Sequence, residues 1–264
     1  KLGMRCWQIF VRTKIPMSEW QARALSKLDQ VAKSSASTFQ NAVPFPHLVI
    51  DDFLSSETVE ALLSEFPNDS DPIWEISDQR GIQVKLRSNW QSESDIRAET
   101  RAVVHFLNSG AVMKRLSELT GIEKLISDPY FTGGGLNCTK RDGLLDVHAD
   151  GNWHHAMGVH RRLNVILYLN KVWDSSWGGA LELWDEKLTG CVKSIDPLFN
   201  RLVIFETHDL TYHGHPTPLM CPPDQSRKSL ILYYYTASPR PDAQVLVERP
   251  HRALWRKRQL KELA

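Results

Sequence analysis

The sequence predicts an α+β chain that is mainly β: a jelly roll with N-terminal helices packed against one of its sheets. Two observations carry this. Helix-period segments are confined to the first half of the chain. After Gly133-Gly-Gly135, short strand-like runs follow one another, separated by turn residues.

In order, Ser18 can cap a helix running through Trp20, Leu25, Leu28 and Val31, and Ser34 to Thr38 reads as a linker. Phe45 to Asp51 reads as a short strand. Ser55 and Ser56 lead into an amphipathic helix that stops at Phe66-Pro67. Two further helices are expected over Asp95 to Leu107 and Ala111 to Leu119, split by Asn108-Ser-Gly110 and closed by Gly121. Strands are expected at Leu144–His148, Leu163–Leu169, Ala180–Trp184, Cys191–Ile195, Arg201–Phe205 and Leu230–Tyr235. The chain therefore divides into a helical extension over 1–40, a main domain over 41–245 with its barrel at about 133–237, and a basic, helix-compatible tail over 246–264.

Composition narrows the function classes. With 264 residues, 42% hydrophobic and 24% charged, the chain is globular and can bury a sizeable core. A net charge of +1 argues against a nucleic-acid footprint, and no apolar run is long enough to span a bilayer. The N-terminal segment has no signal-peptide pattern. Cys6, Cys138, Cys191 and Cys221 are scattered with no CxxC pair, which suggests free thiols in a reducing compartment. A cytoplasmic protein with neither a nucleic-acid nor a membrane partner is expected, with Cys138 and Cys191 as inert packing residues.

The chemistry resides in His148-Ala-Asp150, a later Tyr212-His-Gly-His-Pro216, and Arg227-Lys-Ser229. On a strand, His148 and Asp150 point to the same face while Ala149 turns away. Two imidazoles and one carboxylate form the ligand set that holds a ferrous ion and leaves positions open. The second histidine is His213 or His215. Arg227 offers a planar fork for a carboxylate-bearing cosubstrate. Ser229, two residues on, shares its face. His154, His155 and His160 read as lid or substrate contacts in a loop, and Trp173 and Trp177 flank a turn at the barrel mouth.

From about Phe45 to Pro241 the chain resembles the prolyl 4-hydroxylase-like branch of the 2-oxoglutarate and Fe(II)-dependent dioxygenases. The matching motifs are Phe45–Leu54, His148-Ala-Asp150, Arg162-Leu-Asn164, Tyr168-Leu-Asn170 with Trp173, Gly178–Leu183, Asn200–Phe205, His213-Gly-His-Pro216 and Arg227–Leu230. The resemblance implies a double-stranded β-helix, cupin-like, with Fe(II) held by His148, Asp150 and His213. His213 is preferred to His215 because similar proteins carry the ligand as His-Gly-x-Pro. It implies 2-oxoglutarate as cosubstrate, with Arg227, Tyr168 and Ser229 at its far carboxylate, dioxygen as oxidant and ascorbate as reductant. The implied reaction hydroxylates an unactivated C–H of a prolyl or other protein residue, or of a small metabolite, releasing succinate and carbon dioxide. Asp150 fills a position that halogenases of this kind leave to a small residue, so hydroxylation is expected.

The chain departs from the family at Asn137-Cys-Thr-Lys140, where many relatives carry a tyrosine. Lys140 is a candidate second carboxylate partner there. Two rival readings stand beside this one. A zinc hydrolase would leave Arg227 and Tyr168 without a role. A cupin-like metal- or small-acid-binding sensor would bind without turnover.

Overall fold

The computed structural model describes residues 17–259. Helix α1 (Glu19–Gln40) opens it, with the Gln21 side chain accepting from the Ser18 backbone N–H at 3.1 Å. The helix runs through Ser34 to Thr38, where the composition predicts a linker. The Ser/Thr run costs little helix propensity, and burial of Ala32 and Phe39 on either side outweighs it. Strand β1 (His47–Ile50) follows. Helix α2 (Ser56–Ser64) then starts from Ser55, whose hydroxyl accepts from Thr58 N.

A hairpin comes next, β2 (Trp74–Gln79) and β3 (Gln83–Ser88), in a stretch where the sequence reading placed no element. Helices α3 (Ala98–Leu107) and α4 (Gly110–Thr120) meet at Asn108-Ser109, and α4 ends on left-handed Gly121. The expected helix from Asp95 starts later, because Glu93–Asp95 form a separate short turn of 3₁₀ helix.

The barrel strands are β4 (Ile126–Ser127), β5 (Gly135–Thr139), β6 (Leu144–Ala149), β7 (Trp153–His154) and β8 (Val159–Tyr168). They continue as β9 (Leu181–Trp184), β10 (Cys191–Ile195), β11 (Leu202–Glu206), β12 (His213–His215) and β13 (Arg227–Thr236). All pairings are antiparallel, in the order β1-β11-β8-β13-β5-β3-β6-β12-β9-β10. One half, β11-β8-β13-β5, backs onto the helices, and the other, β6-β12-β9-β10, faces it. This is the double-stranded β-helix.

The two-residue period of the strands divides the core in two. On β8, Leu163, Val165 and Leu167 pack with the helices, while Ile166 and Tyr168 enter the barrel. On β11, Leu202 and Ile204 face the helices, and Val203 and Phe205 the interior. On β13, Leu230, Leu232 and Tyr234 face the helices. Its inner face is therefore left to Arg227, Ser229, Ile231, Tyr233 and Tyr235.

The tail departs from expectation. In place of a helix, residues after Gln244 cross the barrel mouth as a strap and form β14 (Leu254–Trp255), paired with β6. Fully buried Asp209 accepts from Leu246 N at 2.8 Å, Val247 N at 3.0 Å, Arg240 at 2.7 Å and His251 at 3.1 Å. These long-range partners fix an extended path that a basic composition does not reveal. Among the described residues no helix is long and apolar enough to cross a membrane. Residues 1–16, with Cys6, and 260–264 lie outside the described residues.

Candidate active site

His148 lies one residue before the end of β6 and His213 begins β12, and the two are direct partners across that strand pair. Their rings lie 4.7 Å apart. Asp150 follows where the chain leaves β6. One ligand atom from each of His148, Asp150 and His213 lies within 4.8 Å of the others, and all three residues are buried. Each imidazole is oriented by a backbone carbonyl: His148 Nδ1 lies 2.9 Å from Asp146 O, and His213 Nδ1 lies 2.9 Å from Thr211 O. If each Nδ1 keeps the proton, both Nε2 lone pairs point at the cluster centre, the arrangement metal-binding histidines use. Phe205 packs edge-on against His213 at 4.7 Å.

The electrostatics favour a cation. Burial, followed by the neighbouring His148, lowers His213 to about 4, so it is a neutral donor at ordinary pH. Burial pushes Asp150 upward, but its close neighbours His148, His213 and Arg161 outweigh it. The carboxyl is held well below the usual range. Asn164 Nδ2 donates to Asp150 Oδ2 at 3.2 Å, and Arg161 Nη1 lies 3.6 Å from the same oxygen.

Deeper in the barrel, Arg227 is buried on the inner face of β13. Its Nε donates to Gly179 O at 2.7 Å and its Nη2 to Tyr168 Oη at 2.9 Å. Gly179 sits at φ +73°, and a Cβ there would come within 2.6 Å of Leu219 and 3.3 Å of Arg227. Ser229 is the register partner of Tyr168, and its buried hydroxyl has no hydrogen-bond partner. An orphaned buried hydroxyl beside an arginine and a phenol is a set of groups awaiting an anion. Burial, opposed by Arg227, raises the Tyr168 pKa, so the phenol remains a donor.

Other expected residues are placed elsewhere. His215 is buried beyond a register irregularity in β12, outside the three-residue cluster, with Nδ1 unpartnered. Burial, and next Arg227, hold it well below the ordinary histidine range. Lys140 pairs with Asp69 at the surface, away from Arg227. The 151–161 segment is a hairpin, β7 against β8, not a loop. His154 is locked inside it, 3.0 Å from Asp128, so it is no lid contact. His155 lines the open groove, and His160 packs edge-on to Trp153. Trp173 donates to Gly178 O and sits beside Gly179, behind Arg227 and away from the groove mouth. Cys138 is buried, whereas Cys191 is exposed on its strand.

Sequence reasoning gave no role to four residues at the site. Asn164 and Arg161 flank Asp150. Lys85 enters from β3, and burial with neighbouring Arg87 lowers it to about 8. Trp255 stacks on His148 at 4.7 Å and 29°. For Asn164 a signal existed: it alternates with Tyr168 on one strand face. Lys85 and Trp255 arrive from distant parts of the chain and left no local pattern.

Residues 134–235 match the family model described as the 2OG-Fe(II) oxygenase superfamily. That stretch holds every residue of the cluster and of the Arg227 pocket. Over that stretch the chain is similar to the 2-oxoglutarate/Fe(II) oxygenases. Over 82 residues the chain is 38% identical to mouse (Mus musculus) prolyl 3-hydroxylase OGFOD1. The stretch is 30% of this chain and spans only 15% of that protein. Its fold is similar to a Trichoplax adhaerens prolyl hydroxylase solved with a hypoxia inducible factor peptide fragment (TM-score 0.59, 20% identity, 83% of this chain and 94% of that one). It is also similar to a Pseudomonas putida prolyl-4-hydroxylase (TM-score 0.55, 16% identity, 76% of this chain and 98% of that one).

Proposed function

We propose that this chain is an Fe(II)- and 2-oxoglutarate-dependent hydroxylase acting on a prolyl or other side chain of a peptide. The observation that carries the reading is the pairing of two sites in one barrel. A buried two-histidine, one-aspartate cluster opens to a groove, and behind it lies a buried arginine–tyrosine pair with an orphaned serine hydroxyl.

The donor set suits a ferrous ion, with two imidazoles and a carboxylate on one face. His148, Asp150 and His213 would hold it, and Arg227, Tyr168 and Ser229 would take the far carboxylate of 2-oxoglutarate. Bound iron and cosubstrate supply the oxidation: with dioxygen, 2-oxoglutarate becomes succinate and carbon dioxide, and one oxygen atom enters a substrate C–H bond. The chain's own work is orientation. Asp146 and Thr211 carbonyls aim the imidazoles, and Asn164 holds Asp150. Arg227, pinned at Nε by Gly179 and at Nη2 by Tyr168, presents its fork in a fixed plane. The apolar barrel wall of Ile166, Leu183, Val203 and Phe205 keeps water away. The peptidyl substrate is supported by the resemblance to prolyl hydroxylases, one of them solved with a peptide.

The test is succinate release from 2-oxoglutarate by anaerobically prepared protein given Fe(II), ascorbate and air, beside Asp150→Ala. A slow substrate-free turnover abolished by the substitution supports the reading. Tight iron and 2-oxoglutarate binding with no succinate under any peptide would favour a binding domain instead.

A further inference from the structure

The cluster opens into a groove of about 660 Å³, in the range that takes a ligand much larger than a free amino acid. Its two walls differ in chemistry. One is a single face of the β2–β3 hairpin, built from three cross-strand rungs: Glu75 with Arg87, Ser77 with Lys85, and Gln79 with Gln83. The outer rungs are satisfied internally, by the Arg87–Glu75 ion pair and by Gln83 donating to Gln79 at 3.1 Å. In the middle rung Lys85 faces a serine, and it has no ion-pair partner among the described residues.

The other wall is the strap. Asn152 holds it, accepting from His251 N at 2.9 Å and donating to Arg249 O at 3.2 Å. Gly151 lies beneath it so closely that a Cβ would come within 2.9 Å of His251 O. β14 then delivers Trp255 onto His148, with the indole still 38% exposed and bordering the groove. The floor is Asp150, His148 and Arg161, the last stacked 3.8 Å over Tyr233.

We propose that this groove seats an extended peptide, with Trp255 holding the apolar ring or side chain to be oxidised beside His148, and Lys85 pairing with an acidic residue next to it. An exposed indole at the edge of a metal cluster is a rigid apolar platform that loses little entropy on binding. Lys85 is a half-buried ammonium whose nearest cross-strand neighbour is neutral, so a carboxylate there gains from a partly desolvated pair. Burial, and next the like charge of Arg87, lower its pKa to about 8. Outside the groove, the other edge of β2 has no strand partner among the described residues, so the hairpin wall can lie alongside an extended chain.

This inference rests on the hydroxylase reading, which substrate-free succinate release tests separately. The test uses two pools of short synthetic peptides with one central proline, one pool with Asp or Glu beside it and one with Asn or Gln. The acidic pool should stimulate succinate release at a KM roughly fivefold lower than the amide pool. Lys85→Met should erase that ratio and Lys85→Arg should keep it. Trp255→Ala should raise KM for both pools and Trp255→Phe should largely restore it, while Fe(II) affinity, read by competition with a fluorescent chelator, holds. Stimulation by neither pool, no preference in the unmodified protein, or a preference that survives Lys85→Met would overturn the proposal. So would a Trp255→Ala protein that loses Fe(II) affinity with KM unmoved, since the indole would then be only a prop for His148.

Discussion

Arg227 Nη2 donates a 2.9 Å hydrogen bond to the buried phenol of Tyr168, and the guanidinium is fixed from its other side by Gly179 O. The two residues lie on neighbouring strands, and both point into the barrel because each occupies an inward position of the pleat. Arg227→Ala removes the buried cation that β13 supplies to that pocket and should raise KM for 2-oxoglutarate by about 100-fold or more. Tyr168→Phe deletes a single hydrogen bond and should raise it by about fivefold. Steady-state succinate release against 2-oxoglutarate concentration measures both. Equal effects would mean that the phenol, and not the charge, dominates anchoring.

Ser229 gives a prediction of opposite sign for stability and binding. Its hydroxyl is buried without a partner, which costs stability until a ligand arrives. Ser229→Ala should therefore stabilise the cofactor-free protein by about 1 kcal/mol, raising Tm by roughly 2–4 °C. The same change should weaken 2-oxoglutarate binding several-fold. Thermal melts with and without 2-oxoglutarate and Fe(II) test this, because the ligand-induced rise in Tm should shrink in the variant.

The acid limb of stability should report His208. Burial, and next the Arg240 charge, lower it from the ordinary 6.5 to about 4, with Asp209 opposing and Arg162 adding. The folded state thus binds fewer protons than the unfolded chain between those values. This contribution is complete above pH 6.5 and is lost as pH falls toward 4. Urea denaturation across that range should show a flatter decline for His208→Gln than for the unmodified protein.

Asp209 anchors the strap, and its removal should act locally before it acts globally. Asp209→Asn leaves Arg240 without its 2.7 Å partner and weakens the capture of Leu246, Val247 and His251. A loss of about 3–5 kcal/mol is expected for breaking such a buried pair. Limited proteolysis should then cut between 245 and 259 under conditions where the barrel is still folded.

Much of the barrel was legible because its strands are short apolar runs bounded by turn residues. Leu163 to Tyr168 and Leu202 to Phe205 carry apolar residues on both faces, as strands buried between helices and a barrel interior must. The ligand cluster was legible for a related reason: His148 and Asp150 share a strand face whatever the rest of the fold does. Which of His213 and His215 joins them was not readable from the residues alone, since it turns on a register irregularity within β12. The β2–β3 hairpin escaped because one of its faces is polar by design of the groove, so Glu75, Ser77 and Gln79 dilute the apolar signal. The strap escaped for a different reason. Residues 251–259 are locally helix-compatible, but Asn152, Asp209 and the β6 edge hold them extended, and those partners lie tens of residues away.

The most direct test of the account is anaerobic addition of 2-oxoglutarate to the Fe(II)-loaded protein, followed by visible absorption. Chelation of the metal by the keto acid should produce a charge-transfer band at one equivalent of iron per chain. The band should vanish in His213→Ala, persist in His215→Ala, and require far more 2-oxoglutarate in Arg227→Ala. Iron bound without any band, or a band lost with His215 and kept without His213, would contradict the placement of metal and cosubstrate.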